Sequence, residues 1–383
     1  MQPELTLTPG SAFGVYIHVP FCATRCGYCD FNTYTAAELG GTSPDGWLAA
    51  LRIELAMAGA AVGPVPVDTV FVGGGTPSLL GARRLADVLG AVRASFPLAV
   101  GAEVTTEANP ESTSPEFFAA IREAGYTRVS LGMQSASPRV LAVLDRTHSP
   151  GRATTAAREA LDAGFEHVNL DLIYGTPGES DDDLTASVDA ALAARVDHIS
   201  AYALVVEDGT AMARRVRRGE ISAPDDDVLA ARYQLIDSQL SAAGFGWYEV
   251  SNWSRPGGRC RHNEGYWAGG QWWGAGPGAH GFIGDVRWWN IKHPSAYAGA
   301  LAAGQSVAAG FERIGPRERH LEDVLLGIRL RRGLPVPVLS GTEQQRARTA
   351  IAAGLLVEVG DRLVLTDRGR LLADAVVRDL LDD

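Results

Sequence analysis

Three of the four cysteines in this 383-residue chain lie in one short segment, as Cys22, Cys26 and Cys29 in a C-x3-C-x2-C pattern. A cubane [4Fe–4S] cluster normally takes four cysteine thiolates. Three closely spaced thiolates would bind three of the irons and leave the fourth iron open for a small molecule. The spacing therefore predicts an iron–sulfur cluster that holds a second cofactor.

Two other interpretations of the cysteine segment stay open. Structural zinc usually takes four nitrogen or sulfur ligands in paired groups, whereas only His18 lies nearby and no second pair follows. The three cysteines could also be an inert part of the core. Four cysteines in a chain of this length do not make a disulfide scaffold, so metal binding or catalysis is the favoured class.

The elements around the cysteine segment alternate short strands with amphipathic helices. Strands are predicted at residues 14–19, 68–74, 101–108, 128–134, 167–175 and 198–206. Helices are predicted at residues 47–60, 83–95, 115–125, 152–164, 184–194 and 226–243. Repeated βα units of this kind indicate a parallel sheet covered by helices. Six units fit an incomplete (β/α)6 barrel as well as a doubly wound sheet.

Polar residues collect at the carboxyl ends of these strands and just beyond them. They are Thr76, Glu107, Gln134 and Asp171. Barrels and open α/β sheets both place their sites at that end of the sheet. Because the cysteine segment follows the first strand, we expect it to lie at the same end.

The last third of the chain differs in composition. Residues 252–290 are rich in tryptophan and glycine with little periodicity, which predicts an irregular functional segment. Further on, the sequence predicts helix, helix, hairpin and helix, an order that resembles a winged-helix module. We therefore divide the chain into a partial barrel (1–245), an aromatic and glycine-rich extension of it (246–305), and a smaller C-terminal helical domain (306–383).

Composition excludes some classes of protein. The net charge of −11 argues against a general nucleic-acid partner, including one for the winged-helix-like end. The first residues do not form a secretory signal, and no apolar run is long enough to span a bilayer. These features predict a cytoplasmic protein, with peripheral membrane association left open. Monomer and homodimer are both compatible with the sequence.

The motifs together resemble the radical S-adenosylmethionine (SAM) family, whose signature is C-x3-C-x2-C followed by an aromatic residue. Within that family they are similar to the oxygen-independent coproporphyrinogen III oxidases, and more closely to their haem-chaperone branch, over nearly the whole chain. The motifs that carry the resemblance are GVYIHVPFC, FVGGGTPS, EANP, SLGMQS, NLDLIYGTPG, YEVSN and CRHNEGYW. The resemblance implies an α/β fold, an incomplete (β/α)6 TIM-like barrel.

The resemblance also implies a set of cofactor-binding residues. The cluster would bind Cys22, Cys26 and Cys29, and SAM would bind Tyr16, Gly74, Gly75, Thr76, Glu107, Gln134, Arg146 and Asp171. Several of the SAM residues have a plainer interpretation. GGGTPS could be a tight turn, Glu107 a solvated strand end, Tyr16 part of the core and Arg146 half of a surface ion pair. Asp171 lies within an apolar strand, which favours ligand contact or a buried pair with Arg146.

This sequence departs from the pattern of the oxidases in two places. The oxidases carry a further cysteine two residues after the third, where this chain has Phe31. They also have a longer N-terminal extension, whereas only 21 residues precede Cys22 here. Both departures favour the haem-chaperone branch, as does the HNxxYW motif in CRHNEGYW. His262 and Cys260 are candidate haem ligands, although His262 could instead be hydrogen-bonded within a loop.

The resemblance thus implies a protein that binds haem as cargo and delivers it to haem-requiring proteins, with respiratory membrane enzymes among the expected recipients. The alternative is a radical SAM enzyme that acts on a tetrapyrrole such as coproporphyrinogen III. Whether SAM is cleaved is left open.

Overall fold

The computed structural model describes residues 5–8, 10–146 and 149–381. Within these residues one large sheet contains twelve strands. The strands are β1 (Phe13–Val19), β2 (Val67–Gly74), β3 (Leu98–Ala108), β4 (Arg128–Gln134), β5 (His167–Tyr174), β6 (His198–Ala203), β7 (Gly246–Glu249), β8 (Asn252–Ser254), β9 (Gln271–Ala275), β10 (His280–Ile283), β11 (Val286–Asn290) and β12 (Ala308–Arg313).

Helices connect and cover these strands. They are α1 (Pro44–Val62), α2 (Gly81–Ser95), α3 (Pro115–Ala124), α4 (Pro138–Val143), α5 (Arg152–Asp162), α6 (Asp181–Ala193), α7 (Ala211–Arg217), α8 (Asp226–Ala242), α9 (Arg261–Trp267) and α10 (Pro294–Ala302). Local sequence fixes several helix starts. Side chains of Ser43, Ser114 and Ser180 accept hydrogen bonds from the first turns of α1, α3 and α6, and so satisfy amides that have no partner within the helix.

The six predicted parallel strands are confirmed, and β1 to β6 pair in chain order. Strand β9 adds to the free side of β1 in parallel, and β10, β11 and β12 continue that edge antiparallel. Strands β8 and β7 add antiparallel beyond β6. Among the described residues no pairing joins the two edges, so the sheet is open, as an incomplete barrel requires.

The prediction of an irregular segment over 252–290 is wrong. These residues form β8, α9, β9, β10 and β11. Short strands separated by turns give no long periodic signal, and glycines with positive φ, such as Gly276 and Gly284, supply the turns.

Alternate residues of each strand face opposite sides of the sheet. On β1, Val15 and Ile17 join the main core together with Leu51 of α1. The residues that alternate with them, Tyr16 and His18, line a cavity on the other face. The sheet thus supplies apolar residues to the helices and polar residues to the site.

A second core lies at the C-terminal end. It is built on α11 (Pro316–Gly327), β13 (Leu334–Pro335), α12 (Gly341–Ala352), β14 (Leu356–Val359), β15 (Arg362–Leu365), α13 (Asp367–Leu371) and α14 (Ala373–Leu380). The predicted order of helix, helix, hairpin and helix is present. Arg370 attaches this module to α8 through an ion pair with Asp237, at 2.6 Å.

Strand β12 pairs with β11 in the large sheet, although it falls within residues 306–383. The second core begins only with α11. We therefore propose that the boundary of the C-terminal domain lies between Arg313 and Pro316. No helix among the described residues has the length and apolar character needed to cross a membrane.

Candidate functional site

The cysteine loop begins directly after β1 and is closed by its own backbone. The Cys22 amide donates to the Tyr34 carbonyl at 3.0 Å, and the Cys29 amide donates to the Cys26 carbonyl at 3.2 Å. Asn32 also ties the loop to a distant segment, because its side-chain amide donates to the Pro277 carbonyl at 2.9 Å and the Lys292 carbonyl at 2.8 Å. The loop is therefore held at both ends.

The three thiols lie partly exposed on this loop. The Cys22 Sγ is 3.8 Å from the Thr76 hydroxyl, and Arg146 Nη1 donates to the Cys26 Sγ at 3.5 Å. Burial raises the pKa of the Cys22 and Cys29 thiols. Among the described residues, no three His, Cys, Asp or Glu side chains converge on a point that would hold a single metal ion.

The glycines after β2 allow two backbones to approach closely. The Gly75 amide donates to the Val19 carbonyl at 2.7 Å, and the Thr76 amide donates to the Phe21 carbonyl at 2.8 Å. A Cβ atom on Gly75 would lie 2.5 Å from the Phe21 carbonyl oxygen. GGGTPS therefore supports the start of the cysteine loop with its backbone.

Replacing Gly75 with alanine is expected to displace the cysteine loop and to lower the iron bound per chain after reconstitution. A backbone carbonyl cannot move aside as a side chain can, so the loop itself must shift. Gly90 in α2 has open space around it, and Gly90→Ala should keep full iron content with a slight gain in stability. Iron and sulfide analysis of both variants checks this, and equal iron contents would contradict it.

Glu107 and Asp171 form a partly buried acidic group next to the glycine loop. Glu107 accepts a hydrogen bond from the Gly74 amide at 3.0 Å, and burial, with a smaller effect of Asp171, raises its pKa to about 8. Asp171 accepts hydrogen bonds from Ser130 at 2.8 Å and Asn169 at 2.7 Å. It forms no direct ion pair with Arg146 among the described residues, although the charge of Arg146 acts on Asp171 from a longer distance.

Two polar atoms in this region have no partner among the described residues. The Gln134 Oε1 and the Arg146 Nε are both buried and unsatisfied. Gln134 also has a φ of 65°, which is unusual for a residue other than glycine. Buried polar groups are normally hydrogen-bonded, so both atoms suit a ligand with donors and acceptors of its own. The methionyl group of SAM, with an ammonium and a carboxylate, has that chemistry.

His262 begins the HNxxYW motif on α9 and is 3% exposed. Its Nδ1 is 2.8 Å from the Thr69 hydroxyl, and its Nε2 is 2.8 Å from the Tyr266 hydroxyl. Its ring stacks on Phe71, and burial lowers its pKa to about 4. Neither ring nitrogen is open to an iron, so the structure argues against the expectation that His262 binds haem directly.

Cys260, the other candidate haem ligand, is buried before α9, and its thiol donates to Glu103 at 3.5 Å. Burial raises its pKa above the usual range of a thiol. As the structure stands, the Cys260 thiol is buried and both ring nitrogens of His262 are hydrogen-bonded.

Sequence reasoning missed the buried ion pair that holds this motif in place. Glu103 of β3 accepts hydrogen bonds from the His262 amide at 3.0 Å and the Arg261 amide at 3.2 Å, and it pairs with Arg128 of β4 at 3.2 Å. Arg128 donates in turn to the Gly258 carbonyl. Alternation along β3 places Glu103 on the same face as Glu107, which is the signal that could have identified it.

A cavity of about 1090 Å³ lies between the cysteine loop and the motif helix. Cys26 and Cys29 line one part of it, and Tyr266 of α9 lines another. Leu326 of the C-terminal module also reaches it. Phe31, which follows the third cysteine, is 61% exposed where it meets this cavity. The volume is at the upper end of the range for small-molecule and cofactor sites.

The parallel βα sheet and the three-cysteine loop agree with what comparison with known proteins finds. Residues 16–191 match the Radical SAM superfamily. The solved structure of the coproporphyrinogen III oxidase HemN from Escherichia coli, a radical SAM enzyme, superposes with a TM-score of 0.84 at 19% identity, over 97% of this chain and 91% of that one. These matches define the class: a radical SAM fold.

Relatives of similar length narrow the class to one family. The chain is 70% identical to the haem chaperone HemW of Mycobacterium tuberculosis, over 99% of this chain and 97% of that protein. It is 34% identical to the haem chaperone HemW of Escherichia coli, over 95% of this chain and 96% of that protein. The chain belongs to the HemW family of radical SAM proteins.

Proposed function

We propose that this protein is a haem chaperone on a radical SAM scaffold. The observation that carries the proposal is the large cavity bounded by the cysteine loop, the HNxxYW helix and the C-terminal module. Its size suits a cargo larger than SAM alone, and its walls include Tyr34, Tyr266 and Trp272. The HemW relatives, named as haem chaperones, support the same function.

The cofactor site would use the residues that surround the cysteine loop. Cys22, Cys26 and Cys29 would hold a [4Fe–4S] cluster, and SAM would contact Gln134, Arg146, Glu107 and the glycine loop. When bound, this pair of cofactors supplies one-electron chemistry at the open iron. Tyr16, Gly74, Gly75, Thr76 and Asp171 would shape the site around them. Arg146 would place its charge beside the cluster and the methionyl carboxylate.

Delivery to haem-requiring proteins, with respiratory membrane enzymes among them, is part of the proposal. We further propose that the protein has no nucleic-acid partner. It would be cytoplasmic, with or without peripheral association with a membrane, and either a monomer or a homodimer.

A second candidate function is oxidation of coproporphyrinogen III. It is considered because the chain shares its fold with HemN. Phe31 argues against it, because the oxidases are expected to carry a cysteine at this position. Productive cleavage of SAM is not required by the chaperone proposal.

Two assays on anaerobically reconstituted protein separate the candidates. In the first the protein is titrated with haem, and in the second it receives coproporphyrinogen III, SAM and a reductant. The chaperone proposal expects about one haem bound per chain and no vinyl-group formation. Sustained conversion of coproporphyrinogen III to the divinyl product would contradict it.

Binding of SAM is expected to strengthen as the pH rises through about 8, the pKa of Glu107 in the empty site. The sulfonium of SAM keeps its charge across this range and is attracted more to an ionised carboxylate than to a protonated one. Because the α-amino group of SAM also titrates near pH 8, the contribution of Glu107 is the difference between the wild type and Glu107→Gln, which should bind SAM roughly tenfold or more weakly at about pH 9 and be closer to the wild type at about pH 6. Equilibrium dialysis between about pH 6 and pH 9 measures both effects.

The matched control is Glu123→Gln, which changes an exposed carboxylate on α3. It should leave affinity and pH dependence unchanged. If Glu107→Gln behaves like this control, Glu107 does not contact SAM.

A further inference from the structure

A haem chaperone needs a group that can bind the haem iron, and histidine and cysteine are established haem ligands. The cluster would occupy three of the cysteines, and Cys260 is buried under α9. The histidines near the large cavity are therefore the candidates for the axial ligand of the haem iron.

Two of these histidines have both ring nitrogens occupied. His262 is bonded to Thr69 and Tyr266. The Nδ1 of His18 is 3.1 Å from the Tyr16 hydroxyl, and its Nε2 is 2.9 Å from the Asn32 carbonyl. Either ring would have to give up a buried hydrogen bond before it could bind iron, which makes both poor ligands.

His280 differs from both. It is exposed, it lines the cavity, and its ring nitrogens have no hydrogen-bond partner among the described residues. Of the histidines that the structure describes, it alone combines these features. Burial and the nearby Lys292 lower its pKa, so the imidazole is neutral near pH 7 and keeps a lone pair for a metal.

The backbone around His280 is fixed. Its carbonyl accepts a hydrogen bond from Trp272 Nε1 at 2.8 Å, and β10 pairs with β11 in a register that sets His280 opposite Trp289. Glu54 holds the preceding turn, because it accepts from the Gly276 amide at 2.8 Å. A ligand on a fixed strand end keeps its direction while cargo enters and leaves.

The cavity also offers charge for the two carboxylates of haem. Lys292 and Arg214 both line it and are exposed, and neither pairs with a carboxylate among the described residues. Apart from its iron, haem is a flat apolar ring with an acidic edge. Tyr34 and Trp272 offer aromatic surface for the ring, and the two cations offer partners for the edge.

We propose that His280 is the axial ligand of haem in this cavity, with Lys292 and Arg214 recognising the haem propionates. This inference rests on the proposed chaperone function and assigns the site of the cargo. It places the haem beside the cysteine loop and makes the HNxxYW helix a wall of the site, through Tyr266, rather than the source of the ligand.

The test compares haem binding by the wild type, His280→Ala and His262→Gln through visible and electron paramagnetic resonance spectra. His280→Ala should lose the signature of an imidazole ligand and bind haem at least about tenfold more weakly, and added imidazole should restore the signature. His262→Gln should retain that signature. Cluster content and thermal unfolding of each variant report whether the fold is intact.

A second arm tests the acidic edge. Lys292→Ala and Arg214→Ala should each weaken haem binding several-fold but should not weaken binding of haem dimethyl ester, which has no free carboxylate. A wild-type spectrum and affinity in His280→Ala would overturn the ligand assignment and leave the chaperone function standing. Failure of the wild type to bind haem at all would overturn both.

Discussion

Replacing Cys26 with serine is expected to abolish the visible absorption of the reconstituted iron–sulfur cluster and, with it, SAM binding at the open iron. Three thiolates are the fewest that can hold a cubane cluster with one open iron, so the loss of one removes a whole ligand. Cys26 also lies beside Arg146, at 3.5 Å, where the proposed cluster and SAM sites would meet. Absorption spectra with iron and sulfide analysis measure the effect.

Cys260→Ser is the matched control for this change. Cys260 is also a cysteine, but it lies under α9 and contacts Glu103 rather than the loop. The variant should retain its full cluster content. A cluster that persists in Cys26→Ser, or a colourless zinc protein purified from the wild type, would contradict the cluster assignment.

Replacing Glu103 with alanine should cause the largest loss of stability among the substitutions considered, about 3–5 kcal/mol in the free energy of unfolding. Arg128 is 1% exposed, so removal of Glu103 leaves a buried charge without its partner. The amides of Arg261 and His262 also lose their acceptor, and the start of α9 is released. Urea-induced unfolding followed by circular dichroism measures the change.

The control is Asp285→Ala, which breaks the exposed ion pair between Asp285 and Arg313. Pairs of this kind contribute less than about 1 kcal/mol, so this variant should unfold close to the wild type. If Glu103→Ala were no less stable than Asp285→Ala, the motif helix would not depend on the buried pair.

The sequence predicted the parallel core well because each βα unit carries its own local signal. Apolar runs mark strands buried on both faces, and serine caps mark helix starts. The same reasoning failed over 252–290, where strands of three to five residues are too short to show a period. Strands β9, β10 and β11 are specified by pairing with one another and with β1, and β8 by pairing with β6 and β7.

The candidate site also has one part that the sequence predicted and another that it did not. Its cysteines and glycines stand in short motifs, so they were found from spacing and resemblance, and their roles toward the cluster and SAM stay predictions. The supports of the site were missed because their partners are distant in the chain. Asn32 contacts Pro277, and Glu54 contacts Asn290 and Gly276. Such pairs cannot be predicted from local sequence.

Haem ligation shows the limit of a motif most clearly. HNxxYW pointed to His262, but the fold buries that ring between Thr69 and Tyr266. His280 also lines the cavity, and its ring nitrogens have no hydrogen-bond partner among the described residues. Exposure and free ring nitrogens decide which histidine can bind a metal, and neither property can be read from residue order.

The central claim is that this protein carries haem to other proteins, and its most direct test is a transfer measurement. The protein loaded with haem is mixed with membranes that contain a haem-depleted respiratory enzyme, and recovery of that enzyme's activity is followed over time. The rate of recovery is expected to rise with the concentration of loaded protein and to exceed the rate from serum albumin loaded with the same haem. A rate no greater than that from albumin would show that the protein does not deliver haem.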